Sequence, residues 1–123
     1  MQLDHLILAV NDVKASVDFY TRVLGFRHDA DRPPFATIRV TPDFVLQLAP
    51  WGTKGGEHLA FAMSRAEFDE VFTRIRAAGI PYGDAFDASD NMRGPGVSDG
   101  AKGATSSVYF FDPSKHLIEI VSY

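Results

Sequence analysis

Apolar residues along this chain fall into short runs, and each run has one polar residue set among its neighbours. Asp4-His5-Leu6-Ile7-Leu8-Ala9-Val10 is one such run, and Glu57-His58-Leu59-Ala60-Phe61-Ala62-Met63 repeats its order of acid, His, Leu, apolar pair, Ala and apolar residue. Their length and content predict buried strands. Each is followed by a helical pattern that ends in Gly. Asn11-Asp12 can cap the first helix, whose apolar positions Val13, Val17, Tyr20 and Leu24 keep helical spacing up to Gly25. Ser64, with Glu67 three residues on, opens the second in a capping-box spacing. Phe68, Val71, Phe72 and Ile75 form its apolar side, and Gly79 closes it.

Three further strands follow the first helix, over Phe26–Ala30, Phe35–Val40 and Phe44–Ala49, separated by the turn residues Asp31-Arg32-Pro33-Pro34 and Thr41-Pro42-Asp43. After the second helix, Ile80-Pro81-Tyr82 begins a short strand, and Ser107–Phe111 and His116–Tyr123 are two more. A second likeness lies here. Phe44-Val45-Leu46-Gln47-Leu48-Ala49 matches His116-Leu117-Ile118-Glu119-Ile120-Val121, each holding one polar residue between apolar ones. The chain thus reads as one βαβββ module written twice, over about 1–50 and 57–123, with 51–56 as a glycine-rich linker. The fold class is α+β, and the 123 residues make one domain. The segment from Asp84 to Ala104, polar and rich in Gly, Asp and Ser, is expected to be a long loop serving as a lid.

Strand alternation puts His5, Ile7 and Ala9 on one face, and likewise His58, Ala60 and Ala62. Gln47 and Glu119 fall on the matching faces of their strands. In all four strands the opposite face carries the bulky apolar groups that should pack on the helices. A sheet surface of small side chains with four polar groups aimed into it describes a pocket. A single strand His is more often a core residue than a ligand. Two at matched positions, with a carboxylate that needs a cation or strong donors, point instead to a 2-His-1-carboxylate metal site of His5, His58 and Glu119. Such a set suits Fe(II), Mn, Ni or Zn, and Gln47 can serve as a weak fourth ligand or hold water or substrate. His28 has no counterpart, and His116 is an odd step from Glu119, so both are expected to be structural or exposed.

Charge and composition narrow the rest. Net charge is −4 and no basic cluster occurs, which argues against non-specific nucleic-acid binding. There is no Cys, so thiolate chemistry and disulfides are excluded. No apolar run is long enough to span a bilayer and no leader pattern precedes the first strand, so a cytoplasmic protein is expected.

The motifs together resemble the vicinal oxygen chelate superfamily of glyoxalase I, fosfomycin resistance transferases, bleomycin-binding proteins and extradiol dioxygenases. They are Asp4-His5-Leu6, Ser16-Val17-Asp18-Phe19-Tyr20 with Leu24-Gly25-Phe26, Glu57-His58-Leu59, and Val108-Tyr109-Phe110-Phe111-Asp112-Pro113 leading to Leu117-Ile118-Glu119-Ile120. The resemblance implies a curved mixed sheet around a central metal cavity, with His5, His58 and Glu119 as ligands, and a homodimer. It implies a metal that binds a small substrate through one or two adjacent oxygens and stabilises the anion as it forms, or binds dioxygen beside it. Glyoxalase I has a carboxylate where this chain has Gln47, and an amide cannot act as a general base. Bleomycin-type binders usually lack the metal ligands. Fosfomycin transferases use several basic residues, for which Arg93 and Lys102 are the candidates here. The reading is therefore an Fe(II) or Mn(II) oxygenase acting on an aromatic or vicinally oxygenated compound, with Tyr109 and Trp51 as residues that could stack on it. A glyoxalase-like isomerase or lyase, a fosfomycin-type thiol transferase and a non-catalytic drug-binding protein are the alternatives.

Overall fold

The computed structural model describes residues 1–123. The fold class is α+β, and the chain forms two compact units, Met1–Gly55 and Gly56–Tyr123. The boundary falls within the glycine-rich stretch. The strands of each unit hydrogen-bond into a sheet of its own.

The first unit is the expected βαβββ module. It runs through β1 (His5–Ala9), α1 (Val13–Asp18), a π-helical turn over Phe19–Val23, β2 (Arg27–His28), β3 (Ala36–Thr41) and β4 (Phe44–Ala49). Asp12 caps α1 by accepting the Ala15 N–H at 3.0 Å. Gly25, at φ 82°, takes the left-handed position that ends the helix. The Phe26 N–H then reaches the Tyr20 carbonyl at 3.0 Å. The sheet order is β1-β4-β3-β2, with β1 parallel to β4 and the other pairs antiparallel. Leu8, Val10, Leu46, Leu48 and Ile38 are buried on one side, together with Phe19, Tyr20 and Leu24 of the helical segment. That is the helix-facing side which alternation predicts. β1 has a partner along one edge only, and Leu3, Leu6 and Ile7 on it or beside it remain exposed.

The second unit departs from expectation in one element. It contains β5 (His58–Ala62), α2 (Arg65–Ala77), β6 (Tyr82–Gly83), β7 (Gly96–Gly100), β8 (Gly103–Phe111) and β9 (Leu117–Ser122). Ser64 caps α2 through the Glu67 N–H at 3.2 Å, and Phe68, Val71, Phe72 and Ile75 are the buried face of the helix. The sheet order is β5-β9-β8-β6, and β7 pairs with β8. The expected loop from Asp84 to Ala104 is therefore corrected. Residues 96–100 form a hairpin strand against an extended β8, with Ser98 opposite Thr105 and Gly96 opposite Ser107.

The remainder of that segment is tied down by backbone and side-chain hydrogen bonds. The Met92 N–H reaches the Tyr82 carbonyl at 2.8 Å, and Asn91 Nδ2 donates to Asp84 Oδ1 at 2.7 Å. A side chain at Gly83 would overlap the Ala88 carbonyl, and one at Gly96 the Asp84 carbonyl, so both glycines permit a close crossing of chain on chain. No helix is long and apolar enough to cross a membrane.

Candidate metal centre

In the second unit one face of the sheet carries a cluster of polar side chains. β5 runs parallel to β9, with Ala60 opposite Glu119, and β9 runs antiparallel to β8, with Tyr109 opposite Glu119. Alternation then places His58, Glu119, Tyr109, Ser107, Thr105 and Ser98 on a common face. The opposite face holds Ile118, Ile120, Val108 and Phe110, all fully buried, and is the face that meets α2.

Glu119 is 8% exposed, yet its ion-pair partner is an imidazole rather than a Lys or Arg. His58 Nε2 stands 3.1 Å from Glu119 Oε2. The imidazole is half exposed and the carboxylate is not. A buried carboxylate facing a ring nitrogen is a donor pair that a divalent ion would satisfy, with nitrogen and oxygen both suited to Fe, Mn, Ni or Zn. The residues present therefore fit a metal as two of its ligands.

The second carboxylate oxygen is occupied by a hydroxyl. Ser98 Oγ donates to Glu119 Oε1 at 3.2 Å. Ser98 is also 2.6 Å from Ser107 Oγ and 3.0 Å from Thr105 Oγ1, and those two are 2.7 Å apart. Tyr109 is buried beside this group, and its ring centroid lies 6.2 Å from that of His58. Burial pushes the Tyr109 phenol above its ordinary value, with Glu119 adding to the effect and hydrogen bonding to Ser98 and Ser107 opposing it. The phenol thus stays protonated and able to donate at neutral pH.

The first unit holds the remaining expected ligand. His5 Nδ1 lies 2.7 Å from Asp4 Oδ2. An Nδ1–H given to a carboxylate leaves the imidazole lone pair on Nε2, the arrangement that metal-ligating histidines use. Gln47 is half buried on β4, flanked on its own face by Ile7 of β1 and Thr37 of β3. The Thr37 hydroxyl is buried there without a hydrogen-bond partner. The structure gathers no group of three or more His, Cys, Asp or Glu side chains that could hold a metal.

The other candidates are placed as follows. Arg93 is exposed in the segment before β7. Lys102 sits in the β7–β8 turn with its ammonium 5.7 Å from the Tyr123 ring centre. Trp51 is 62% exposed, with its ring edge against Phe35. Of the residues considered for substrate, Tyr109 is the one beside Glu119. His28 pairs with Asp31 at 2.8 Å on the surface, and the buried His116 accepts the Glu57 N–H through Nδ1 at 3.2 Å. His28 is thus exposed and His116 buried, each with a local partner. The hydroxyls of Ser98, Thr105 and Ser107 were not foreseen. The period of two linking Thr105, Ser107 and Tyr109 was a usable signal for the last two, whereas nothing local marks Ser98.

Three comparisons bear on this architecture. The chain is 29% identical over 131 residues to the Virulence protein STM3117 of Salmonella typhimurium, covering 99% of this chain and 84% of that protein. It is 27% identical over 125 residues to the Glutathione transferase FosA of Serratia marcescens, covering 96% and 78% respectively. The solved structure of Oxidase ChaP-H2 superposes with a TM-score of 0.83 at 31% identity, covering 100% of this chain and 94% of that one. Residues 2–120 match the model of the Glyoxalase/Bleomycin resistance protein/Dioxygenase superfamily, and this chain, with its two modules and its His58–Glu119 pair, belongs to that superfamily.

Proposed function

We propose that this chain is a metal-dependent oxygenase of its superfamily, acting on a small aromatic or vicinally oxygenated compound. His5, His58 and Glu119 are its metal ligands, and Fe(II) or Mn(II) is the ion, with Zn and Ni as the other ions such donors accept. The observation that carries this reading is the buried Glu119 carboxylate set 3.1 Å from the His58 imidazole with no Lys or Arg to balance it. The likeness to an oxidase at 31% identity over the whole chain supports the choice of reaction class.

When bound, the metal polarises the substrate oxygens it holds. The protein's own groups do the rest. The Tyr109 phenol hydrogen-bonds Glu119, and its ring provides an aromatic wall beside His58. Gln47, as a neutral amide, orients substrate or water and does not take up a proton. A homodimer and a cytoplasmic location belong to the same reading. The single-sided edge strand β1, with Leu3, Leu6 and Ile7 exposed, supports the dimer.

The likeness to a glutathione transferase favours a second reading, a thiol transferase on the same ligands. Elemental analysis of protein purified without chelator tests the metal centre. The wild type is expected to carry stoichiometric metal and His58→Ala to lose it, and full metal content in His58→Ala would refute the ligand set. Oxygen uptake with catechol-type substrates, against activity under anaerobic conditions with glutathione, separates the two reactions.

A further inference from the structure

We propose that Ser98 is a positioning residue for Glu119. It belongs to a cluster of three hydroxyls, with Thr105 and Ser107, and by donating to Oε1 it fixes the plane of the carboxylate and turns Oε2 toward His58. This rests on the metal-centre reading above and extends it to the β7–β8 hairpin.

A carboxylate only accepts hydrogen bonds, so the one proton of Ser98 belongs on Glu119 Oε1, 3.2 Å away. Ser98 Oγ must then accept from its neighbours. Ser107 Oγ, at 2.6 Å, and Thr105 Oγ1, at 3.0 Å, are the neighbouring hydroxyls within reach of it, and Thr105 also has the Ser98 carbonyl as an acceptor at 3.4 Å. The three hydroxyls are thus mutually bonded, and Ser98 links them to the carboxylate. Thr105 is 4% exposed and Ser107 is fully buried, so neither hydroxyl can turn to water instead. In such a site the anion polarises the hydroxyl that donates to it, and the bonds around that hydroxyl strengthen.

The terminal torsion of a Glu side chain is broad, and one contact does not set it. Here two do, Ser98 at Oε1 and His58 at Oε2. Ser98 is the one member that comes from β7. Thr105 and Ser107 belong to β8, the strand already paired with β9. Hairpin pairing of β7 is therefore what brings the last hydroxyl onto the ligand. Groups that hydrogen-bond a metal ligand from behind commonly change metal affinity by about 10- to 100-fold when removed.

Titration of the metal-free protein with Mn(II) alone, read calorimetrically and by the signal of free Mn(II), tests this. Melting of each metal-free variant is recorded alongside. Ser98→Ala is expected to bind Mn(II) about 10- to 100-fold more weakly with little change in metal-free melting. Ser98→Thr, which keeps the hydroxyl, should return most of the affinity. Wild-type affinity in Ser98→Ala, where His58→Ala has lost binding, overturns the positioning role and leaves the metal centre standing. Equal loss in Ser98→Ala and Ser98→Thr overturns it as well, because the hydroxyl is then not the cause. A wild type that binds no Mn(II) removes both this role and the metal centre.

Discussion

His58 and Glu119 meet at 3.1 Å although 61 residues separate them, because β5 and β9 lie side by side and parallel. The carboxylate is buried and the imidazole opens to solvent, so the pair forms the floor and the rim of one polar face. Sites built for a ligand commonly keep such a cost in the folded protein.

Glu119→Gln should separate the two roles of this carboxylate. The amide keeps the shape and removes a buried charge that no Lys or Arg balances. Metal-free stability is expected to shift by no more than about 1 kcal/mol. The rise in melting temperature that Mn(II) or Fe(II) gives the wild type should vanish. Thermal melts with and without metal check both.

Tyr109 should titrate late. Burial lifts its phenol above the ordinary value of 10.0, and the nearby carboxylate acts in the same direction. In an alkaline ultraviolet titration, a phase belonging to Tyr109 is expected above its ordinary value. That phase should be missing from Tyr109→Phe. An unchanged titration in the variant would show that Tyr109 is not held as described.

Acid should loosen the first unit through Asp29. The Ala30 N–H, Arg39 and Arg27 hold its carboxyl at about 2, below the ordinary 3.8. A carboxyl depressed on folding adds stability that is complete above its unfolded value and is lost as pH falls through the folded one. Melting temperature should therefore drop between about pH 4 and pH 2, and Asp29→Asn should fall less steeply there. Asp31, lowered by His28 and by the Thr37 N–H, contributes in the same sense.

Gly83→Ala is expected to destabilise the second unit by at least about 2 kcal/mol, since its Cβ would overlap the Ala88 carbonyl and backbone has to move. Gly79→Ala differs in kind. Nothing lies within 4 Å of its Cβ, and only the left-handed φ of 69° opposes the change. Its cost should be nearer about 1 kcal/mol. Denaturant unfolding of the two variants ranks them.

Local chemistry was enough for most of the architecture. The twin runs around His5 and His58, the caps at Asp12 and Ser64, and the stops at Gly25 and Gly79 each act within a few residues, so the chain shows them directly. Alternation likewise assigned the helix-facing and polar faces of β1, β4, β5 and β9, because apolar burial on one side of a sheet enforces a period of two. β7 escaped for the converse reason. In Gly96-Val97-Ser98-Asp99-Gly100 the apolar Val97 is 84% exposed and the small residues turn inward, so the usual polarity of a strand is reversed. Its pairing depends on β8 and on close approaches at Gly83 and Gly96, none of which has a local mark. By itself the sequence determined which residue types could bind a metal and on which strand faces they lie. Only the folded second unit decided that Ser98, Ser107 and Thr105 cluster beside Glu119, because strand register between distant segments, and not spacing along the chain, sets those distances.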